Sequence, residues 1–126
     1  MNASTDPSPI PPQQRIFVVE DEFLIRMLIE DMLADLGYAV AGVAGRIDEA
    51  EELARTIDCD LAVLDVNLEG SDVFPVADIL AGRGVPFVFV SGYGARVLPE
   101  SYRGRLTLQK PFQIDDLKRT LSDALL

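Results

Sequence analysis

Short apolar runs alternate with stretches in which apolar residues recur at helical spacing. The five runs are rich in β-branched and aromatic residues, which favour strands, and they are RIFVVE (15–20), YAVAGVA (38–44), LAVLD (61–65), VPFVFVS (85–91) and LTLQK (106–110). Strands that alternate with helices are joined by right-handed crossovers, which produce a parallel sheet. Strands of such a sheet are buried on both faces, which explains their nearly continuous apolar character. The sequence therefore predicts a doubly wound α/β fold with a five-stranded parallel sheet and helices on both faces.

The chain divides into a proline-rich start and one longer unit. Residues 1–14, MNASTDPSPIPPQQ, contain four prolines and few aliphatic side chains, a composition that predicts a disordered tail. Residues 15–126 are enough for one domain with its own core. Within them, the segment 92–104 contains three glycines and Pro99, so we expect a loop with at most a short helix there.

Composition excludes several classes of function. The net charge is −10 and the chain has no histidine. An acidic surface repels nucleic acid and anionic membranes, and the lack of histidine excludes Ser-His-Asp and Cys-His catalysis and any imidazole metal site. The single cysteine, Cys59, forms no internal disulfide and fits a reducing compartment, so we expect a cytoplasmic protein. No apolar run approaches the roughly 18 residues of a membrane span.

Four of the five predicted strands end at a polar or charged residue. Glu20 and Asp21 follow the first strand, whereas Asp65, Ser91 and Lys110 end the third, fourth and fifth. In α/β folds, sites lie outside the carboxyl ends of the strands, so these side chains should converge. Two carboxylates about 4 Å apart repel by about 4 kcal/mol at an effective dielectric of 20. Such a group of oxygen ligands favours a hard cation, Mg²⁺ or Mn²⁺.

The remaining groups suit phosphoryl transfer. An aspartate such as Asp65 can attack phosphorus and form an aspartyl phosphate, while a cation, the Lys110 ammonium and the Ser91 hydroxyl stabilise the transferred group. Each residue also has a simpler interpretation. Acids such as Glu20 and Asp21 are favoured at helix starts by the helix dipole, and a serine before glycine is common in turns.

The segments VVEDE, LAVLDVNL, FVFVSG and LQKPF, in this order and spacing, resemble the receiver domain of response regulators of bacterial two-component systems. The resemblance covers Arg15 to Leu126. It implies a flavodoxin-like sheet with the strand order 2-1-3-4-5. It further implies phosphorylation of Asp65, with Mg²⁺ held by Glu20, Asp21, Asp65 and the backbone carbonyl of Asn67.

The resemblance also assigns roles around the phosphorylated aspartate. It makes Lys110 the lysine that contacts the phosphoryl group, Pro111 the proline after a cis peptide bond, and Ser91 the switch hydroxyl. A receiver of this kind catalyses its own phosphorylation and dephosphorylation at Asp65. The phosphoryl donor would be a histidine kinase or a histidine phosphotransfer protein.

Three features depart from the usual receiver pattern. The Met-Pro pair that commonly follows the position of Asn67 is absent. Thr107 stands where the family usually has an aromatic switch residue on the fifth strand. The loop after Ser91 reads Gly92-Tyr93-Gly94, which partly resembles a subgroup of stand-alone receivers with a Phe-Ala-Thr-Gly-aromatic motif. Tyr93 is therefore a candidate to replace the missing switch aromatic, with fixed loop packing as the alternative.

The expected function is that of a single-domain response regulator. It would signal by phosphorylation-dependent binding of a downstream protein, or drain phosphate from a shared kinase. Two alternatives stay open. A phosphatase of the haloacid-dehalogenase type uses similar groups, but places its nucleophile on the first strand. A pseudo-receiver would keep the fold as a binding module without phosphotransfer.

Overall fold

A computed structural model describes residues 13–93 and 98–126. The strands are β1 (Arg15–Val19), β2 (Ala39–Ala44), β3 (Leu61–Asp65), β4 (Asn67–Leu68), β5 (Ser71–Asp72), β6 (Phe87–Ser91) and β7 (Thr107–Gln109). The helices are α1 (Phe23–Asp35), α2 (Ile47–Thr56), α3 (Phe74–Gly82) and α4 (Ile114–Ala124), with a short 3₁₀ helix at Glu100–Tyr102. Residues 1–12 of the predicted tail and residues 94–97 of the predicted loop lie outside the described residues.

Five strands form one parallel sheet in the order β2-β1-β3-β6-β7. This confirms the expected order 2-1-3-4-5, because β4 and β5 pair only with each other as a small antiparallel hairpin. The four α-helices lie in the stretches after these strands in which apolar residues recur at helical spacing. The hairpin itself was not predicted, since two-residue strands are too short to show an alternating pattern.

Both faces of the sheet are covered, and alternate residues of each central strand enter different cores. Ala62 and Leu64 of β3 pack with residues of α2 and α3, including Ala54, Val76 and Leu80. Leu61 and Val63 face the opposite side and pack against α1 and α4, including Ile29, Leu33, Leu117 and Leu121. Because both faces are apolar, polar side chains of the central strands are confined to the strand ends.

Helix ends are fixed by local chemistry. At α4, the Gln113 N–H donates to Asp116 Oδ2 at 3.0 Å in a capping box, which satisfies donors that helices leave unpaired. At α1, the chain leaves the helix through Gly37, whose φ is +90°, a conformation that glycine adopts without steric cost. Within the described ranges, no helix combines the length and apolar character needed to cross a membrane.

Arg83 links α3 to the end of α2 and supplies a test of the packing. Its guanidinium donates to the carbonyl oxygens of Ala54 at 2.8 Å and Ile57 at 2.9 Å. Replacing Arg83 with Met should lower the free energy of unfolding by about 1–2 kcal/mol, because two carbonyls lose a charged donor. Arg55→Met is the control, since Arg55 is exposed on α2 and should change stability by less than about 0.5 kcal/mol. Urea unfolding measures both, and equal losses would contradict the assignment.

Candidate functional site

The carboxyl ends of the strands bring four charged side chains together. Lys110, directly after β7, places its Nζ 3.0 Å from Glu20 Oε1 and 3.3 Å from Asp65 Oδ2. Carboxylate oxygens of Glu20, Asp21 and Asp65 lie within 4.8 Å of one another. Residues separated by up to 90 positions in the sequence therefore form one compact cluster.

The parallel register of the strands explains why Glu20, Asp65 and Ser91 lie at the same edge of the sheet. Val19 of β1 pairs with Leu64 of β3, so Glu20 and Asp65 occupy matching positions beyond that pair. Asp65 pairs in turn with Val90 of β6, one residue before Ser91. No chain reversal is needed to align them, because parallel strands end on the same edge.

The cluster lies at the floor of a cleft of about 510 Å³. Glu20, Asp65 and Ser91 are only 1%, 6% and 3% exposed, which is unusual for polar residues. The cleft is lined mainly by predicted site residues together with the chain that follows them, among them Asp21, Asp65, Asn67, Ser91, Tyr93 and Lys110. A small anion or cation can therefore reach Asp65 from solvent.

Burial and charge shift the pKa values within this cluster. Burial raises the pKa of Glu20 to about 7, although the Lys110 ammonium and the Glu22 N–H oppose the shift. Burial likewise raises the pKa of Asp65, against the effect of Lys110. Burial alone would lower the pKa of Lys110, but its contacts with Glu20 and Asp65 outweigh that effect and raise it. Without a further cation, one lysine does not compensate the buried carboxylates.

The donor set fits a hard divalent cation. Glu20 Oε1 is buried and forms an ion pair with the Lys110 ammonium at 3.0 Å, and it has no further hydrogen-bond donor among the described residues. Buried polar atoms are normally satisfied, so this oxygen has capacity for another partner. All the ligand atoms offered are oxygens, which is the chemistry of Mg²⁺ rather than of Zn²⁺.

The chain after Asp65 forms a wall of the cleft that sequence patterns did not predict. Asn67 begins the β4–β5 hairpin, and its side-chain Oδ1 accepts a hydrogen bond from the Gly70 N–H at 2.8 Å. Glu69 and Gly70 at the turn have φ values of +49° and +85°. The glycine at the second turn position was the available signal, because two-residue hairpin turns favour glycine there.

Ser91 and Tyr93 are adjacent in the structure as well as in the sequence. The Ser91 Oγ accepts a hydrogen bond from the Tyr93 N–H at 3.0 Å. The Tyr93 side chain is 71% exposed, and its role as a switch residue stays a prediction. Thr107 is half-buried and donates from Oγ1 to the Arg105 carbonyl at 3.2 Å. The peptide bond between Lys110 and Pro111 is cis.

Tyr102 lies on the same face of the sheet as Thr107, and sequence analysis did not identify it as a residue of interest. Tyr102 is 8% exposed, and its ring centroid lies 5.5 Å from that of Phe89. Its hydroxyl donates to Asp78 of α3, and burial together with Asp78 raises the pKa of Tyr102 to about 12. Tyr102 thus stays protonated and ties the short 3₁₀ helix to α3.

The raised pKa of Glu20 predicts a pH dependence of stability. The folded protein binds the proton of the Glu20 carboxyl group more tightly than the unfolded chain does. Protonated Glu20 therefore adds to the free energy of unfolding below pH 4.5, and this stabilisation is lost as the pH rises to about 7. In chelator, the free energy of unfolding should fall by on the order of 2 kcal/mol across this range. Glu20→Gln should remove most of the fall, whereas Glu22→Gln should retain it. Urea titrations at several pH values measure the slope, and an unchanged slope in Glu20→Gln would refute the expectation.

Comparison with known proteins identifies the family. Residues 16–122 match the response regulator receiver domain. The chain is 38% identical over 108 residues to the transcriptional regulatory protein PdtaR of Mycobacterium tuberculosis, covering 82% of this chain and 53% of PdtaR. It is 33% identical over 114 residues to the phyllosphere-induced regulator PhyR of Methylorubrum extorquens, covering 87% of this chain and 43% of PhyR. The chain thus spans about half the length of these curated relatives.

Solved structures agree with this relationship. The solution structure of SdrG from Sphingomonas melonis Fr1 superposes with a TM-score of 0.80 at 37% identity, covering 90% of this chain and 98% of SdrG. The receiver domain of the sensor histidine kinase PA1611 from Pseudomonas aeruginosa has a TM-score of 0.73 at 26% identity, covering 90% of this chain and 98% of that one. That structure holds a magnesium ion in its active-site cleft. The fold, the acidic cleft and these matches together show that the chain belongs to the response regulator receiver domain family.

Proposed function

We propose that the protein accepts a phosphoryl group on Asp65 from a phosphohistidine of a histidine kinase or histidine phosphotransfer protein, in a Mg²⁺-dependent reaction. The observation that carries the proposal is the position of Asp65. Its carboxylate is 6% exposed, contacts Lys110 at 3.3 Å and lies beside Glu20 and Asp21 on the floor of an open cleft. A buried carboxylate with a cationic neighbour and access to solvent suits a nucleophile.

The residues that would hold Mg²⁺ are Asp21, Glu20, Asp65 and the backbone carbonyl of Asn67, with Asp21 as the more direct acidic ligand than Glu20. When bound, the cation supplies charge that offsets the negative charge of the transferring group. This role accounts for the excess of carboxylates over the single Lys110 ammonium. It also gives the buried Glu20 Oε1 a partner in addition to Lys110.

The other steps of phosphoryl transfer are assigned to Asp65, Lys110 and Ser91. An Asp65 carboxylate oxygen forms the new O–P bond as the N–P bond to the donor imidazole breaks, and the imidazole leaves with its electron pair. The Lys110 ammonium, already 3.3 Å from Asp65 Oδ2, pairs with the phosphoryl oxygens. The Ser91 Oγ accepts from the Tyr93 N–H, so its own proton is available to donate to a phosphoryl oxygen.

The switch that we propose starts from this Ser91–Tyr93 hydrogen bond. If the Ser91 hydroxyl turns toward the phosphoryl group, its hydrogen bond from the Tyr93 N–H either breaks or moves with it. In both cases the backbone of Tyr93 shifts, and the exposed Tyr93 ring moves with that backbone. Thr107 has no ring with which to fill space vacated by Ser91. The change would then be read on the surface around Tyr93 by a downstream protein, or the receiver would act as a phosphate sink.

We also propose that the receiver signals by binding another protein. Its match with SdrG covers 98% of SdrG and 90% of this chain. PhyR and PdtaR contain further sequence, so their activities do not transfer directly.

The start of α1 supplies a docking surface for the phosphoryl donor. Four large apolar side chains are exposed there: Phe23 (61%), Leu24 (78%), Met27 (44%) and Leu28 (49%). These residues begin two positions after Asp21 in the chain, and Asp21 lines the cleft. Contiguous exposed apolar groups mark interaction surfaces. A donor whose histidine enters the cleft must cover the adjacent surface, so an apolar helix of the donor suits this patch.

The phosphorylation site has a direct test. Incubation with acetyl phosphate and Mg²⁺ should add the mass of one phosphoryl group, and excess chelator should abolish the addition. Asp65→Asn should remain unmodified, because the amide is not a nucleophile. Asp72→Asn is the control, since Asp72 is a second carboxylate on the same cleft and should leave labelling intact. Intact-mass spectrometry reads the result, and labelling of Asp65→Asn would overturn the assignment.

The docking surface is tested by comparing two donors. Among kinases that phosphorylate the wild-type protein, transfer to Leu24→Ser should be slowed about tenfold, because an exposed interface residue of this kind contributes about 1.4 kcal/mol. Labelling by acetyl phosphate should not change. Val40→Ser, an exposed apolar residue on β2, is the control and should retain normal transfer. Equal slowing with both donors would place the defect in the cleft and contradict a docking role.

A further inference from the structure

The β4–β5 hairpin brings a strained backbone position to the edge of the acidic cluster. Asn67 pairs with Asp72 and Leu68 with Ser71, which leaves Glu69 and Gly70 as the two turn residues. Both have left-handed backbone conformations, with φ values of +49° and +85°. Glycine adopts this conformation freely, but a glutamate pays a steric cost. Such positions persist where the surrounding structure determines them, and they are frequent at functional sites.

The turn makes a long-range hydrogen bond to the acidic cluster. The Glu69 N–H donates to Asp21 Oδ2 at 3.1 Å, across 48 residues of sequence. Hydrogen bonds from a backbone N–H to a carboxylate are stronger than those between neutral groups. This contact joins the chain after Asp65 directly to the chain after β1, and it involves the acid that is proposed to bind Mg²⁺ most directly.

The hairpin holds this N–H in place independently of Asp21. Leu68 is buried in the core beneath it, at 1% exposure. At the base, the Val73 N–H donates to the Val66 carbonyl at 3.0 Å. At the tip, the Gly70 N–H donates to Asn67 Oδ1 at 2.8 Å. The donor is therefore preorganised by the hairpin.

We infer that the Glu69–Gly70 turn is a positioning element of the cation site, whose Glu69 N–H fixes the Asp21 carboxylate by holding Oδ2 and leaves its other oxygen for the cation. This inference rests on the proposed Mg²⁺-dependent function. Carboxylates that bind metals are commonly oriented by such hydrogen bonds, and their loss typically lowers metal affinity by one to two orders of magnitude. Two-residue hairpin turns with positive φ at both central residues require the left-handed Glu69, and the same turn sets the direction in which its N–H points.

Two glycines allow a matched experiment. Gly70 and Gly84 both have left-handed backbones, with φ values of +85° and +74°. A Cβ atom added to either would meet nothing within 4 Å. Valine at either position therefore strains the backbone without a steric clash, and both variants should lose stability. Gly84 follows α3 and makes no described contact with the cluster, so Gly84→Val serves as the control.

Mg²⁺ affinity is measured by titrating the full chain and monitoring the amide chemical shifts. Hydrogen exchange of the Glu69 amide is measured separately in the metal-free protein. Gly70→Val should bind Mg²⁺ about tenfold more weakly and exchange the Glu69 amide faster. Gly84→Val should change neither by more than about twofold. Glu69→Asp should retain full affinity, because it keeps the charge and the N–H, and aspartate tolerates the left-handed conformation better.

The outcomes separate this inference from the function on which it rests. Absence of Mg²⁺ binding by the wild-type protein would overturn the proposed function, and the inference with it. Binding by the wild type, with equal affinity in Gly70→Val and Gly84→Val, would overturn the positioning role alone. In an Asp21→Asn background, Gly70→Val should weaken Mg²⁺ binding no further, whereas a full additional loss would show that the turn acts through another group.

Discussion

The contact of the Lys110 ammonium with two buried carboxylates is the interaction on which the site depends. Glu20 and Asp65 are nearly inaccessible to water, and Lys110 lies 3.0 and 3.3 Å from them. Removing one partner of such a buried group leaves an uncompensated charge, which is strongly destabilising. Burial raises the pKa of Glu20 to about 7 even beside the Lys110 ammonium. One lysine therefore does not offset the burial of two carboxylates, and the cluster favours an additional cation.

The doubly wound sheet makes this arrangement possible. Both faces of the central strands are packed against helices, so a charged side chain in mid-strand would be buried without solvent or partners. At the carboxyl edge, the same strands remain in register while their next residues meet an open cleft. Asp65 can thus be almost completely buried and yet accessible to a reactant. The fold provides packed strands behind Asp65 and an open cleft in front of it.

The sequence predicted the five strands of the parallel sheet, the helices between them and the convergence of the charged strand ends, because each rests on local periodicity or on a topological rule. Asp65 and Lys110 were predicted to meet since parallel strands end on one edge. The contact between the Glu69 N–H and Asp21 could not be predicted in this way. It depends on a turn of two residues and on the distance between two loops, neither of which leaves a periodic signal.

The buried Tyr102, which lies on the same face of the sheet as Thr107, shows the same limit. Thr107 pairs with Phe89 across the sheet, and the ring of Tyr102 lies 5.5 Å from that of Phe89. The aromatic side chain that packs beside Phe89 on this face is therefore Tyr102, which belongs to the 3₁₀ helix and not to β7. Its hydroxyl donates to Asp78, which anchors it to α3. Because Tyr102 is fixed and Tyr93 is 71% exposed, a displacement that begins at Ser91 can involve Tyr93 without disturbing the aromatic core.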